Sequence, residues 1–334
     1  MIPTGSYATQ LRQELTLRNR VYARGRAHVD SYGSAPVIVY EPEGGCHGNF
    51  FDVAYAAIAA RPDWMRRFNK VHAQAARSLP RPQLDPTRRW RELDSSMSSD
   101  ALLMNIFCTP GVPESAAIRN ALGVENEAVP IFGWKARVPL ANGRFDRTEV
   151  DMRFGSLLVE AKLTEVGFQT RAAAIVEAYR DFDLVFDRDR LPHVEIATSR
   201  WMKASEFPEN DSQEFESIVG DPALVTRVDP VFRPPGEAGY AGYQLIRSVL
   251  AAHATDCSFC VIHDGRRPDL REEWFEVMAA VKSADMRVRL KVLTWQELAA
   301  LLPAALQKFL DGKYGIVAPG KTASPVGELA GLSG

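Results

Sequence analysis

Apolar and polar residues alternate most regularly between Thr148 and Leu163, on either side of Gly155-Ser156. A period of two marks a β-strand with unlike faces. Gly-Ser suits a two-residue hairpin turn, because glycine accepts the positive φ that primed turns require. Closing the hairpin there pairs Phe154 with Leu157, Met152 with Val159, Asp151 with Glu160 and Glu149 with Lys162. One face then carries Val150, Met152, Phe154, Leu157, Val159, Ala161 and Leu163. The other carries Glu149, Asp151, Arg153, Leu158, Glu160 and Lys162. A slip of one residue would exchange the two faces, so the pattern sets the register.

Elsewhere the period lengthens to that of helices. Leu11, Leu15, Val21 and Tyr22 predict a helix over 6–23 capped by Ser6. Short helices are expected over 99–107 and 113–122, the second ending at Gly123, and another over 168–180. Residues 36–41 read as a strand, and 78–100, rich in Pro, Arg and Ser, as a connector. The acidic segment 206–221 reads as a solvated loop. The last third alternates: helix 240–254, strand 258–263, helix 270–283, strand 287–293, and a helix opened by a Thr294/Glu297 capping box. This order predicts a sheet covered by helices. Residues 193–197 are the nearest candidate for a third strand beside the hairpin, and the Gly-rich tail from Gly312 is expected to be disordered.

Composition changes this picture little. Of 334 residues, 46% are hydrophobic and 25% charged, enough apolar matter for a sizeable core. No apolar run is long enough for a membrane helix, and the first twenty residues lack the apolar centre of a signal peptide, so a cytoplasmic location is expected. The net charge of -2 confines any nucleic-acid role to local patches. Residues 61–91 supply one, with nine Lys or Arg against two Asp and with Trp64, Phe68 and Trp90 interleaved. Arg88, Arg89 and Arg91 are the candidate phosphate contacts there. A solvated arginine-rich surface is the alternative.

The hairpin's polar face carries the chemistry. Glu149 opposite Lys162 suits an ordinary solvated surface. Asp151 opposite Glu160 does not, since like charges with Cβ atoms about 5 Å apart destabilise a sheet. A divalent cation removes the conflict, because Mg²⁺ is commonly held by one or two carboxylates together with water and phosphate. Glu149 is a further candidate ligand, or the partner that fixes Lys162.

Asp151 followed by Glu160-Ala161-Lys162 resembles the motif of the PD-(D/E)XK nuclease superfamily. The wording from Val159 to Phe168, with His47-Gly-Asn-Phe50 and the stretch from Ser95 to Asn105, is similar to a bacterial family of restriction endonucleases. The resemblance implies an α/β fold: a restriction-endonuclease-like mixed sheet flanked by helices, here over 96–311, with a mostly helical N-terminal extension over 1–95 and a tail over 312–334. It implies Mg²⁺- or Mn²⁺-dependent phosphodiester hydrolysis in DNA, with Asp151 and Glu160 on the metal and Lys162 orienting the attacking water. A helix after the hairpin could add Gln244, with Arg247 on the same face. A first-helix acid, Glu114 or Glu125, could join the site, and a homodimer is a candidate assembly.

The other motifs carry less. Cys257-Ser-Phe-Cys260 is a single CxxC and reads as buried structural cysteines. His47 and Cys108 lack the setting of a nucleophile pair, and no phosphate-cradling glycine motif occurs. The rival functions are a non-catalytic nucleic-acid-binding protein on the same fold and a metal-dependent hydrolase of small phosphoesters.

Overall fold

The computed structural model describes residues 6–33, 35–72, 78–125, 127–196 and 237–325. The acidic segment 206–221 lies outside them. Five strands form the central mixed sheet: β1 (Pro130–Lys135), β2 (Glu149–Phe154), β3 (Leu157–Ala161), β4 (Ser258–His263) and β5 (Leu290–Thr294). Their order is β5-β4-β3-β2-β1. β1, β2 and β3 are antiparallel neighbours, whereas β4 runs parallel to both β3 and β5.

The hairpin closes at the expected turn. Gly155 has φ +60°, and Phe154 pairs with Leu157 and Met152 with Val159. β3 is buried along its whole length because it lies mid-sheet with apolar layers on both sides. Met152, Val159 and Ala161 join one core cluster, and Leu158 joins the other. Val150 departs from the expected face: it packs with Leu158 rather than with Met152. The two clusters part at the level of Gly133 on the neighbouring strand, which has φ +61° and lies between the pairs Phe132↔Met152 and Trp134↔Val150.

Five helices frame the sheet and the site: α1 (Tyr7–Tyr22), α2 (Ser99–Phe107), α3 (Tyr243–Ala254), α4 (Pro268–Ala279) and α5 (Ala304–Tyr314). Ser6 caps α1 by accepting from Thr9 N, and Thr294 and Glu297 form the capping box. Leu11, Leu15, Phe50 and Phe68 share a core cluster with Met152 and Val159, so part of the N-terminal region packs into the same core as the sheet. The disorder expected from Gly312 does not begin there. α5 runs to Tyr314, and Tyr314 and Ile316 are fully buried in the same cluster.

Two further expectations are corrected. The strand near residue 193, His193–Ile196, joins no hairpin strand; it pairs with Glu237–Ala241 in a separate three-stranded sheet. The strand beside β3 is β4, about a hundred residues after the lysine, so sequence distance misplaced it. The helix expected over 168–180 is a strand, Thr170–Ala172, followed by a single helical turn, Ala173–Val176. Pairing with Glu237–Ala241 overrides the local helical pattern. Among the described residues, no helix is long and apolar enough to cross a membrane.

Candidate active site

The antiparallel pairing of β2 with β3 stops at Met152↔Val159, just before the expected Asp151–Glu160 pair. There the strands separate. The Ala161 N–H donates to the Asp151 carboxylate at 2.7 Å, and Lys162 N donates to Ile262 O of β4 at 2.9 Å. The separation opens a cavity of about 800 Å³ lined by Asp151, Glu160, Lys162 and Gln244, and by residues from α2, α4 and the segment 164–171.

Glu160 and Lys162 are 3% and 4% exposed, so neither belongs to a solvated surface. The Lys162 ammonium contacts Glu160 Oε1 at 2.9 Å and donates to Gln244 Oε1 at 2.7 Å. Burial alone would lower its pKa, but the carboxylates of Glu160, Glu165 and Asp151 outweigh that and raise it. The cationic form so favoured suits a hydrogen-bond donor. The Trp295 indole, fully buried, donates to Lys162 O at 2.9 Å and fixes the backbone beneath the ammonium.

Four site residues were not singled out from the sequence. Glu165 accepts from Ser99 Oγ at the start of α2 and from Leu163 N, both at 2.6 Å. Glu273 of α4 lines the cavity, and burial raises its carboxyl above the usual range. Arg171 also lines the cavity. Asp100 is the first-helix acid at the cavity, where Arg67 pairs with both it and Glu92. Glu165 and Ser99 stand in the motif stretches, but only the fold brings them together. Glu273 and Asp100 carry no local signal.

Three expected participants lie elsewhere. Glu149 does not line the cavity, because its carboxylate pairs with Lys70 at 3.0 Å across the sheet edge. Glu114 accepts from Gly111 N in its own turn, and Glu125 accepts from Ser156 Oγ at the far end of the hairpin. Among the described residues, no group of three or more His, Cys, Asp or Glu side chains converges closely enough to hold a metal alone. The donor set nevertheless fits a hard divalent cation, which takes one or two carboxylates and fills its other positions with water and phosphate. Among the described lining residues, the acids Asp151, Glu160, Glu165 and Glu273 outnumber the cations Lys162 and Arg171 once Arg67 has paired with Asp100 and Glu92. An anionic substrate would meet net repulsion there without an added cation. Glu149→Ala is accordingly expected to leave Mn²⁺ binding unchanged in calorimetry and to cost no more than about 1 kcal/mol of stability, the range of a partly exposed ion pair. A loss of binding equal to that of Asp151→Ala would return Glu149 to the site.

The basic segment is largely occupied with its own structure. Arg88 donates to both oxygens of the buried Asp94 at 2.7 Å, and the Arg91 guanidinium lies 4.6 Å over the Phe68 ring. Of the three candidate arginines only Arg89 is exposed. His47 donates to Asp94, far from Cys108, whose thiol is pushed up by burial. Cys257 and Cys260 are free and buried, as expected.

A family model described as Restriction Endonuclease associating with ARP matches residues 26–315. No curated protein and no solved structure gives a match.

Proposed function

The chain belongs to the family of restriction endonucleases associating with ARP, and from that premise we propose that it is a Mg²⁺-dependent deoxyribonuclease of the PD-(D/E)XK type. The observation that carries the reading is the separation of β2 and β3 at Asp151, which turns Asp151, Glu160 and Lys162 into one cavity. An antiparallel hairpin continued by a parallel strand, with α3 laid against the lysine, supports the restriction-endonuclease-like fold.

Asp151 and Glu160 would hold the cation, which when bound supplies Lewis acidity to the phosphoryl group and the attacking water. Lys162, kept protonated by the acids around it, points a charge-assisted donor at the site and offsets negative charge growing on the phosphorus oxygens. Gln244 accepts one Lys162 N–H at 2.7 Å and Glu160 lies at 2.9 Å from the ammonium, which together aim the remaining N–H. Arg267, fully buried, donates to Leu163 O and Val166 O and fastens the segment carrying Glu165. The test is a thermal melt with and without Mn²⁺. Binding to the native state alone raises Tm, and Asp151→Ala or Glu160→Ala should abolish the rise. An equal rise in wild type and both variants would remove these carboxylates from the metal site.

A further inference from the structure

Beside the cavity, two arginines share one aromatic ring. Arg171 lies at 5.5 Å and Arg247 at 5.4 Å over the ring of one residue, Tyr243. Neither guanidinium forms an ion pair among the described residues. Arg247 Nε is buried without a hydrogen-bond partner, and burial of an unsatisfied donor is costly. The carboxylates of Glu160 and Asp146 lie within electrostatic reach of Arg247 and favour its charged form, without supplying an acceptor to Nε.

The platform beneath them is rigid. The Tyr243 hydroxyl hydrogen-bonds that of Tyr179 at 3.1 Å, and Tyr179 donates to Asp146 at 2.6 Å. Tyr243 N donates to Gln169 O, so the first turn of α3 is tied to the segment bearing Arg171. Gln169 holds φ +61°, an uncommon conformation for a residue with a side chain, and follows Phe168 into the strand that presents Arg171. The next residue on α3 after Tyr243 is Gln244, which touches Lys162. Arg171 lines the cavity, and Arg247 follows Gln244 by about one turn of α3, so the two arginines stand beside the catalytic lysine.

We propose that Arg171 and Arg247 form a clamp for one backbone phosphate of the DNA strand next to the phosphate being cleaved. This rests on the nuclease reading for its substrate. A phosphate supplies acceptors for the unpaired Nε–H and the planar forks of both guanidiniums, the geometry in which arginine surpasses lysine. Acids holding a cation and arginines holding an anion, side by side, suit a polyanion that must lie across both.

The test is fluorescence anisotropy of a short fluorescein-labelled duplex over a series of KCl concentrations in EDTA, alongside Mg²⁺-dependent cleavage. Arg171→Gln and Arg247→Gln should each weaken binding roughly tenfold and lower the magnitude of the salt slope by about 0.9, the value for one lost phosphate contact. Arg171→Lys should keep the slope and still bind more weakly than wild type. Should Arg247→Gln fail to fold, Arg171→Gln, at a partly exposed position, decides alone. An unchanged slope in a variant with native Tm overturns the clamp. A reduced slope in a protein that cleaves no DNA keeps the clamp and overturns the nuclease reading instead.

Discussion

Lys162→Met is expected to abolish cleavage, to lower Tm in EDTA, and to recover most of that Tm in Mn²⁺. The three results have one origin. Lys162 is the cation in contact with the buried Glu160 carboxylate. Removing one partner of a buried pair leaves an uncompensated charge and costs about 3–5 kcal/mol. A bound divalent cation supplies the missing charge, so the rise of Tm on adding Mn²⁺ should be larger than in wild type. Cleavage does not recover, because no other cation stands where the Lys162 donor stands; its loss should cost about 10²–10³ in rate, as for removal of one preorganised donor. Differential scanning calorimetry with and without Mn²⁺, joined to a cleavage assay, checks all three. A variant that melts like wild type in EDTA would mean that Glu160 does not depend on Lys162.

Arg88→Glu is expected to unfold much of the protein at moderate temperature, whereas Arg89→Glu should be nearly neutral. Asp94 is fully buried, and Arg88 meets both of its oxygens. Its other side-chain partner is His47, whose pKa burial lowers despite the hydrogen bond and charge of Asp94. A neutral His47 donates through Nε2 to Asp94 while Nδ1 accepts from Asn49 N, so it contributes no charge. Arg88 is therefore the cation in direct contact with the Asp94 carboxylate, with Arg91 acting on it at longer range. Reversing it sets a carboxylate against a buried carboxylate, at a cost of at least about 3–5 kcal/mol, or roughly ten degrees of Tm. Arg89 is exposed and should shift stability by less than about 0.5 kcal/mol. Equal Tm values for the two variants would restore the segment to a free basic surface. Arg89→Glu also becomes the clean probe of whether this region meets DNA, since it leaves the fold intact.

The central hairpin was legible in the sequence because two constraints coincide there. A period-two pattern sets the faces, and glycine at the turn sets the register; the pairing of Met152 with Val159 follows from both. The same pattern could not show that β3 is buried on both faces. Glu160 and Lys162 look like solvated positions in alternation, and only the cover supplied by α3, distant in sequence, encloses them. Gln244 was legible through the family likeness. Glu165 and Ser99 lay in motif stretches without an evident role, since their contact spans 66 residues. Glu149 lies away from the cavity for the converse reason: the strands diverge sooner than regular pairing implies, and Lys70, out of sequence range, takes the carboxylate. A charge run such as 61–91 is the least informative feature of all, because sequence does not tell which arginines find buried acids.

The most direct measurement is cleavage of plasmid DNA by the wild-type protein, Asp151→Ala and Glu160→Ala, each in Mg²⁺ and in EDTA. The account predicts cleavage by wild type in Mg²⁺ alone and none by either variant in any condition. Cleavage that persists in EDTA, or that survives at the wild-type rate in either variant, would contradict it.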